Sequence, residues 1–501
     1  MSVARGLVLA GLSTTPACQS SEVAVGDEVI DPAGVWYWGD LHAHSGWSYD
    51  GCESPQHDCA TVSSGPASRF FQVAAEGGLD FAAITDHAEA DLFFPDGLDA
   101  PSLDIWSGQE AVVEAAEDGP VLPILGLEWT GFRGDELDGR PRGSHRTILF
   151  ERPDVCEELR VPGHRFTDGL HEVEHGTSVF EQTRAGAVAE RPTDLWADLD
   201  RGVEACGPVR WVSFAHHSAY QVPQETDWLL HENAPLREDV VEVYSEHGSS
   251  ECADLDADGC GWAVDEDAGY YPDGSVQTAL SRGFTLGFVG GSDSHDARPG
   301  SIEDGPGPVA QWTDTDDDGI GDELQYHYTG GGLTGVLTDQ DLSVGAIFDA
   351  IDGRHTIASS GPRPDLGVFA EGQDGVEYPF GSVIPGDALP LSIRAWVPEV
   401  DGAQIRIERI ERRGSSAEVV EAMDGSGFSG TWAPQQAGWT YLRVRLLYDD
   451  GTEDRLWVSP WFAETPEGCG CATGGAGGGL AGLAAVLLAF LRRRAAPLKA
   501  S

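Results

Sequence analysis

Histidines and carboxylates recur in this chain at one kind of place, the carboxyl end of a short apolar run. The first run, opening at Trp36, reaches Asp40-Leu-His42-Ala-His44, and the second, Leu79-Asp-Phe-Ala-Ala-Ile-Thr85, reaches Asp86-His87. The third, Val121-Leu-Pro-Ile-Leu-Gly-Leu127, reaches Glu128, and the next apolar stretch is led by His145. A later run ends at Phe214-Ala-His216-His217, and the last, Phe284-Thr-Leu-Gly-Phe-Val289, enters Gly290-Gly-Ser-Asp293-Ser-His295. The i, i+2 spacing puts His42 with His44, and Asp293 with His295, on one side of an extended strand. Imidazole with carboxylate suits divalent Zn, Mn or Fe, and several such ligands hold more than one ion. A lone buried histidine is more often structural. A set repeated at five strand ends points instead to a metal centre, whose natural chemistry is hydrolysis: water between two cations ionises near neutral pH, and the cations neutralise charge growing in the transition state.

For these residues to meet, their strands must lie side by side with the carboxyl ends at one face. Between Trp36 and about Pro364, near-continuous apolar strands alternate with helix-length segments and polar inserts. That pattern predicts a parallel sheet covered on both faces, hence an α/β unit, and in a barrel all such ends open on one mouth. From Leu366 to about Phe462 the period changes to two. Leu389-Pro-Leu-Ser-Ile-Arg-Ala-Trp396, Ala403-Gln-Ile-Arg-Ile-Glu-Arg-Ile410 and Thr440-Tyr-Leu-Arg-Val-Arg-Leu-Leu447 mostly alternate, with Asp424-Gly425 and Asp449-Asp450-Gly451 as turns. This predicts a small antiparallel β-sandwich.

The ordered set Asp40-Leu-His-Ala-His-Ser45, Asp50, Ile84-Thr-Asp-His87, Glu128, His145, Ala215-His216 and Gly291-Ser-Asp-Ser-His295 resembles the polymerase and histidinol phosphatase (PHP) superfamily. Within it, Trp36-Tyr-Trp-Gly-Asp-Leu-His42, Tyr244-Ser-Glu-His-Gly-Ser-Ser-Glu251 and Ser292-Asp-Ser-His-Asp-Ala-Arg-Pro-Gly300 resemble the exported domain of unknown function (DUF) 3604 family. The resemblance implies a distorted (β/α)7, TIM-like PHP barrel over residues 36–364 with two or three ions in its mouth; the β-sandwich expected from the alternating pattern follows over 366–462. One ion would take His42, His44, Glu128 and Asp293; a second would share Glu128 and take His145 and His216; a third would take Asp50, His87 and His295. The sequence departs from the family in two places: the usual Ala-His-Pro is Ala215-His-His-Ser218, so His217 competes with His216, and Asp50 stands where many relatives have His.

The implied reaction is phosphoester hydrolysis of a small molecule by a metal-bound hydroxide, with Asp293 holding the ion that controls the attacking group. Arg298, three residues after His295, is a candidate to grip a substrate oxyanion by a bidentate contact, or else a structural Arg paired with a local Asp; Arg146 and Arg363 are further candidates. Gly-x-Ser-x-Gly is absent. Two other readings compete. An amidohydrolase-like enzyme cleaving C–N or ester bonds also opens with His-x-His, but its bridging carboxylated lysine is excluded because Lys499 is the only lysine. A non-catalytic metal-binding surface module using the β-sandwich for adhesion gives no reason to keep an open metal cluster.

Composition bounds the rest. A chain of 501 residues, 41% hydrophobic, with 15 Trp and 18 Phe, buries a sizeable core. Its 84 acidic against 30 basic residues give a formal charge of −54, which repels phosphate backbones and excludes nucleic acid as a partner. Residues 1–18 resemble a signal peptide, ordinary or of lipoprotein type with Cys18 lipidated. Residues 466–494, with Cys469-Gly-Cys471, an uncharged stretch from Gly474 to Leu491 and Arg492-Arg-Arg494, resemble the MYXO-CTERM sorting tail; a plain single-pass anchor is the alternative. Both readings export the body to the surface or outer membrane of a bacterium, the first with a sorting protease as partner. Of the remaining cysteines, Cys52–Cys59 and Cys252–Cys260 are spaced to close small loops, which leaves Cys156–Cys206 by elimination. Asp254-Leu-Asp-Ala-Asp-Gly259 with Asp265, and Asp314-Thr-Asp-Asp-Asp-Gly319 with Asp322, fit either structural Ca²⁺ loops or solvated acidic ones.

Overall fold

The computed structural model describes residues 34–464, apart from the segments 49–66, 88–104, 131–144, 154–165, 172–178, 183–191, 221–225, 229–236, 261–269, 301–311, 314–322 and 325–330 and the single positions 47, 256, 258, 296, 415 and 435. Asp50, both terminal segments, Cys52, Cys59, Cys156 and the second acidic run therefore lie outside the described residues, as do Asp256, Asp258 and Asp265 of the first run. The Cys252–Cys260 disulfide is formed. Among the described residues no helix is long and apolar enough to cross a membrane.

Strands β1 (Val35–Ala43), β2 (Phe81–Ile84) and β3 (Leu122–Thr130) run parallel, with helices α1 (Phe70–Glu76) and α2 (Ile105–Ala116) between them. Helix α1 turns Phe70, Phe71, Val73 and Ala74 inward, the spacing of one helical face. β4 (His145–Phe150) is antiparallel to β3, and β5 (Phe166–His171) with β6 (Val179–Gln182) makes a separate two-stranded sheet. Helix α3 (Pro192–Cys206) opens on a proline, tolerated at the first turn where no amide is needed, and leads to β7 (Trp211–Ala215). β7 is antiparallel to β4 and parallel to β8 (Val240–Ser245), on which the short β9 (Gly248–Ser249) folds back. Helix α4 (Val276–Ser281), capped by the Ser275 hydroxyl accepting from the Thr278 amide, leads to β10 (Gly287–Gly290), parallel to β8. After the small pair β11 (Trp312–Thr313) and β12 (Glu323–Leu324), β13 (Leu333–Thr338) lies antiparallel to β1, and α5 (Val344–Gly353) connects it to β14 (Thr356–Ser359).

The architecture is α/β, but two features depart from a closed parallel barrel. β4 runs against both of its neighbours, so the sheet is mixed. The sheet is also not closed: its order runs from β10 at one edge through β8, β7, β4, β3, β2 and β1 to β13 and β14. The edge strand β10 meets β13 through a side chain instead of a ladder. The Thr334 hydroxyl accepts from the Gly290 amide at 3.1 Å and donates to the Gly290 carbonyl at 2.7 Å. That contact depends on Gly290 having no side chain, since a Cβ there would meet the Leu333 carbonyl oxygen at 2.7 Å.

The C-terminal strands are β15 (Gly367–Gly372), β16 (Val383–Ile384), β17 (Leu391–Trp396), β18 (Ala403–Arg413), β19 (Ser416–Asp424), β20 (Gly427–Trp432), β21 (Gly438–Tyr448), β22 (Glu453–Val458) and β23 (Trp461–Ala463). β15, β17 and β20 form an antiparallel three-stranded sheet in which Leu391, Ile393 and Ala395 are buried while Ser392 and Arg394 are exposed, the expected alternation. Those inward residues share a core with Ile405 and Ile407 of β18 and Leu442, Val444 and Leu446 of β21, each Leu, Ile or Val side chain contributing about 1.5–3 kcal/mol by leaving water. β22 pairs with β14, so the two regions share one 16-stranded sheet.

Candidate metal centre

The predicted ligands on described residues converge at the carboxyl ends of β1, β2, β3, β7 and β10. His42 and His44 leave β1, His87 follows β2 and forms an isolated bridge to Glu128 near the end of β3, and His216 follows β7. His145 is the exception that the strand directions explain. It stands at the start of β4, and because β4 is antiparallel, Thr130 and His145 pair at the same edge as the other ligands. The loop after β10 is laced to β1: the Asp293 amide donates to the His42 carbonyl at 2.7 Å, and the His44 amide donates to the Ser294 carbonyl at 2.8 Å. Asp40, buried beneath it, accepts from the amides of His42, Ser292 and Gly300. Asp293 itself has φ +59°, a left-handed backbone that an L residue holds only at a cost.

Glu128 is the hub, and its two oxygens divide the imidazoles. Oε2 lies 3.0 Å from His44 Nε2 and 3.3 Å from His42 Nε2. Oε1 faces His145 Nδ1 in a very short contact, His216 Nε2 at 3.2 Å and His87 Nδ1 at 3.5 Å. Asp293 Oδ1 completes the first group, 3.2 Å from His42 Nε2 and 3.3 Å from His44 Nε2. Four donor atoms from His42, His44, Glu128 and Asp293 thus lie within 4.8 Å of one another, as do those of His44, His87 and His295 and those of His145, His216 and His217.

The far ring nitrogens are held as well. His42 Nδ1 meets Glu242 Oε2 at 2.8 Å, and His216 Nδ1 meets the Thr147 hydroxyl at 3.2 Å. The Ser48 hydroxyl donates its one hydrogen to Asp86 Oδ1, so it accepts from His44 Nδ1 at 2.7 Å. That fixes the His44 proton on Nδ1 and leaves Nε2 facing the carboxylates, the tautomer a metal ligand needs. Asp86, also tied to the Ser45 amide and hydroxyl and to Gln109, organises this loop and is not itself among the converging donors.

Charge follows from this packing. Burial disfavours ionised Glu128, yet His87, His216 and His145 outweigh it and hold its pKa well below the usual range. Asp293 is likewise held well below the usual carboxylate range, against burial, by His42 and His247. Burial opposes protonation of His42, but Asp293 and Glu242 raise it well above its ordinary value, while His216 is pushed down to about 3 by burial and by His42. Two ionised carboxylates therefore draw protons onto nearby imidazoles, the charge a divalent cation would otherwise supply. The buried His216 Nε2 and Asp293 Oδ2 make no well-aligned hydrogen bond, facing Glu128 Oε1 at 3.2 Å and His247 Nε2 at 3.1 Å instead, so the donor set fits divalent metal.

Residues 276–378 match the family model described as Protein of unknown function (DUF3604). The match supports the DUF3604 family. Neither the curated proteins nor the solved structures contain a match to the chain. The DUF3604 stretch carries Asp293, His295 and Arg298; the other predicted ligands precede it.

The arginine candidates separate. Arg298 is buried in the loop after His295, and its carbonyl accepts from Ser294. Arg146 does not join His145: successive strand residues point oppositely, and its guanidinium pairs with buried Glu238 at 2.5 Å. Arg363 donates to the Gly78 carbonyl behind α1. Residues whose place in the site the sequence reading missed are Glu242, Ser48, Thr147 and His247, which lies 3.1 Å from Asp293 Oδ2. Glu242 left a signal, a charge inside the run Val240-Val-Glu-Val-Tyr244 that burial obliges to find a partner.

Proposed function

We propose that the protein is a metal-dependent phosphoesterase acting on small molecules outside the cytoplasm, its body held at the cell surface by the C-terminal tail. The observation that carries this reading is the division of Glu128, one oxygen serving His42 and His44 and the other His145 and His216, the arrangement of a carboxylate shared by two cations. His42, His44, Glu128 and Asp293 would hold one ion, Glu128, His145 and His216 a second, and His87 and His295 with Asp50 a third. Support for a PHP-type barrel comes from the side-chain contact between Thr334 and Gly290, which draws the two limbs of the open sheet together.

Divalent ions, when bound, supply positive charge against phosphoryl oxygens and make water acidic enough to attack. The chain's own residues do the rest. Glu242, Ser48 and Thr147 orient the ligating rings, Asp293 anchors the ion beside His42 and His44, and Arg298 is assigned to a substrate oxyanion. The convergence of the described donors argues against an adhesive module. Asp293→Asn keeps the side-chain shape while removing its charge, so hydrolysis of phosphate mono- and diesters in excess Zn²⁺ or Mn²⁺ is expected to fall by several orders of magnitude with little change in melting temperature. A wild-type enzyme that cleaves amides or carboxylic esters far better than any phosphoester overturns the proposal in favour of an amidohydrolase-like enzyme.

A further inference from the structure

Asp293 uses only Oδ1 toward the inner ligands, and its other oxygen looks elsewhere. Oδ2 lies 3.1 Å from His247 Nε2 and 3.9 Å from His217 Nε2. Donor atoms of His217, His247 and Asp293 all fall within 4.8 Å of one another; His247 is in none of the inner groups, and His217, which also converges with His145 and His216, is not assigned to any of the three ions. Around a tetrahedral zinc with bonds of ~2.0–2.1 Å, ligand atoms stand roughly 3.3 Å apart, so these separations bracket what an ion needs. The two rings are inclined by 80° with centroids 5.5 Å apart, which lets their nitrogens converge instead of stacking.

The surroundings hold this trio in place. His217 has φ +31°, a conformation that costs energy in a non-glycine residue, and its amide donates to Glu242 Oε1, the same carboxylate that orients His42. Its Nδ1 is buried without a hydrogen-bond partner. His247 comes from the turn between β8 and β9, and its side chain is 33% exposed, so the trio has an open side. Tyr220 packs beside both histidines, its ring 5.4 Å from His217 and 5.6 Å from His247.

We propose that His217, His247 and Asp293 Oδ2 form a further divalent transition-metal site at the rim of the centre, sharing Asp293 with the inner ion. Two imidazoles and one carboxylate select Zn²⁺-like ions over Mg²⁺ or Ca²⁺, and three ligands with an open side leave a position for water or a substrate oxygen. The inference rests on the metal-centre reading only through the shared Asp293.

The test uses the full chain stripped of metal and titrated with Co²⁺, followed by visible absorption and by elemental analysis after dialysis. His247→Ala, at a partly exposed position, is expected to bind one equivalent fewer than wild type, with the remaining affinities changed less than about 3-fold. Zn²⁺ anomalous scattering from crystals is expected to show a peak between His217 and His247, absent in the variant. Equal stoichiometry and affinity in wild type and His247→Ala, or anomalous peaks confined to the inner ligands, overturns the rim site and leaves the proposed function standing. A wild-type protein that binds no Co²⁺ overturns both.

Discussion

Glu242 shows how much of the centre is set one atom beyond the ligands. One oxygen orients His42 and the other accepts the His217 amide, while burial raises its pKa to about 7. Glu242→Gln preserves size but can present only one acceptor oxygen, so affinity for the first ion is expected to fall about 10–100-fold, measured by competition with a chelating dye. An unchanged affinity would show that the contact to His42 is incidental. Gly291 makes a related point, because a Cβ there would meet His42 Cβ at 2.4 Å and Glu242 Oε2 at 2.8 Å. The ligands themselves were legible because strand-end histidines and carboxylates have no apolar reason to be there. The residues that orient them were not: Ser48 and Thr147 are ordinary types, and nothing in a linear sequence says that a hydroxyl 4 positions from His44 turns back to it. Arg146 misled in the same way, its neighbour His145 pointing to the metal centre and its own side chain to Glu238.

At the scale of elements, the direction of β4 was the feature the apolar pattern could not carry. A run such as His145-Arg-Thr-Ile-Leu-Phe150 reads the same whether its neighbours are parallel or not, and only the pairing of Thr130 with His145 reveals the turn-back. The segment from His247 to Cys260 depends on another long-range contact. Glu251 is buried and accepts from the Tyr441 hydroxyl at 2.6 Å, the Arg443 guanidinium at 3.1 Å and the Trp457 indole at 2.8 Å. Arg443 continues to Glu408 at 2.7 Å, and Arg443 and Arg455 both donate to the Gly259 carbonyl inside the disulfide loop. β21 and β22 thus grip the segment that presents His247. Glu251→Ala leaves Arg443 and two other donors without their shared acceptor, so urea unfolding is expected to show a loss of about 3–5 kcal/mol. A loss below about 1 kcal/mol would mean that the network is solvated and not a clasp.

Across the whole molecule, two of the effects that make the metal-free fold less stable as pH rises can be separated. The first is long-range repulsion within a chain of net charge −54, which salt screens over a Debye length of ~10 Å at 0.1 M. The second is local. Asp454 on β22 is buried, and that burial raises its pKa to about 7 despite hydrogen bonds from Tyr448 and Ser360, with Glu453 adding to the rise. Its folded pKa lies above the unfolded value of about 3.9, so the folded state keeps a proton the unfolded state has released. The stabilisation is complete below about pH 4, declines as pH rises toward 7 and is gone above it, a change on the order of 4 kcal/mol. Asp454→Asn mimics the protonated carboxyl at every pH. In the presence of a chelator, the variant is expected to match wild type near pH 4 and to exceed it in stability at pH 8, by a margin that 0.5 M NaCl leaves largely intact because the group is buried. Raising salt at pH 8 is expected instead to stabilise both proteins alike. If the margin at pH 8 vanishes in high salt, the Asp454 carboxyl is responding to the surface field and not to its own burial.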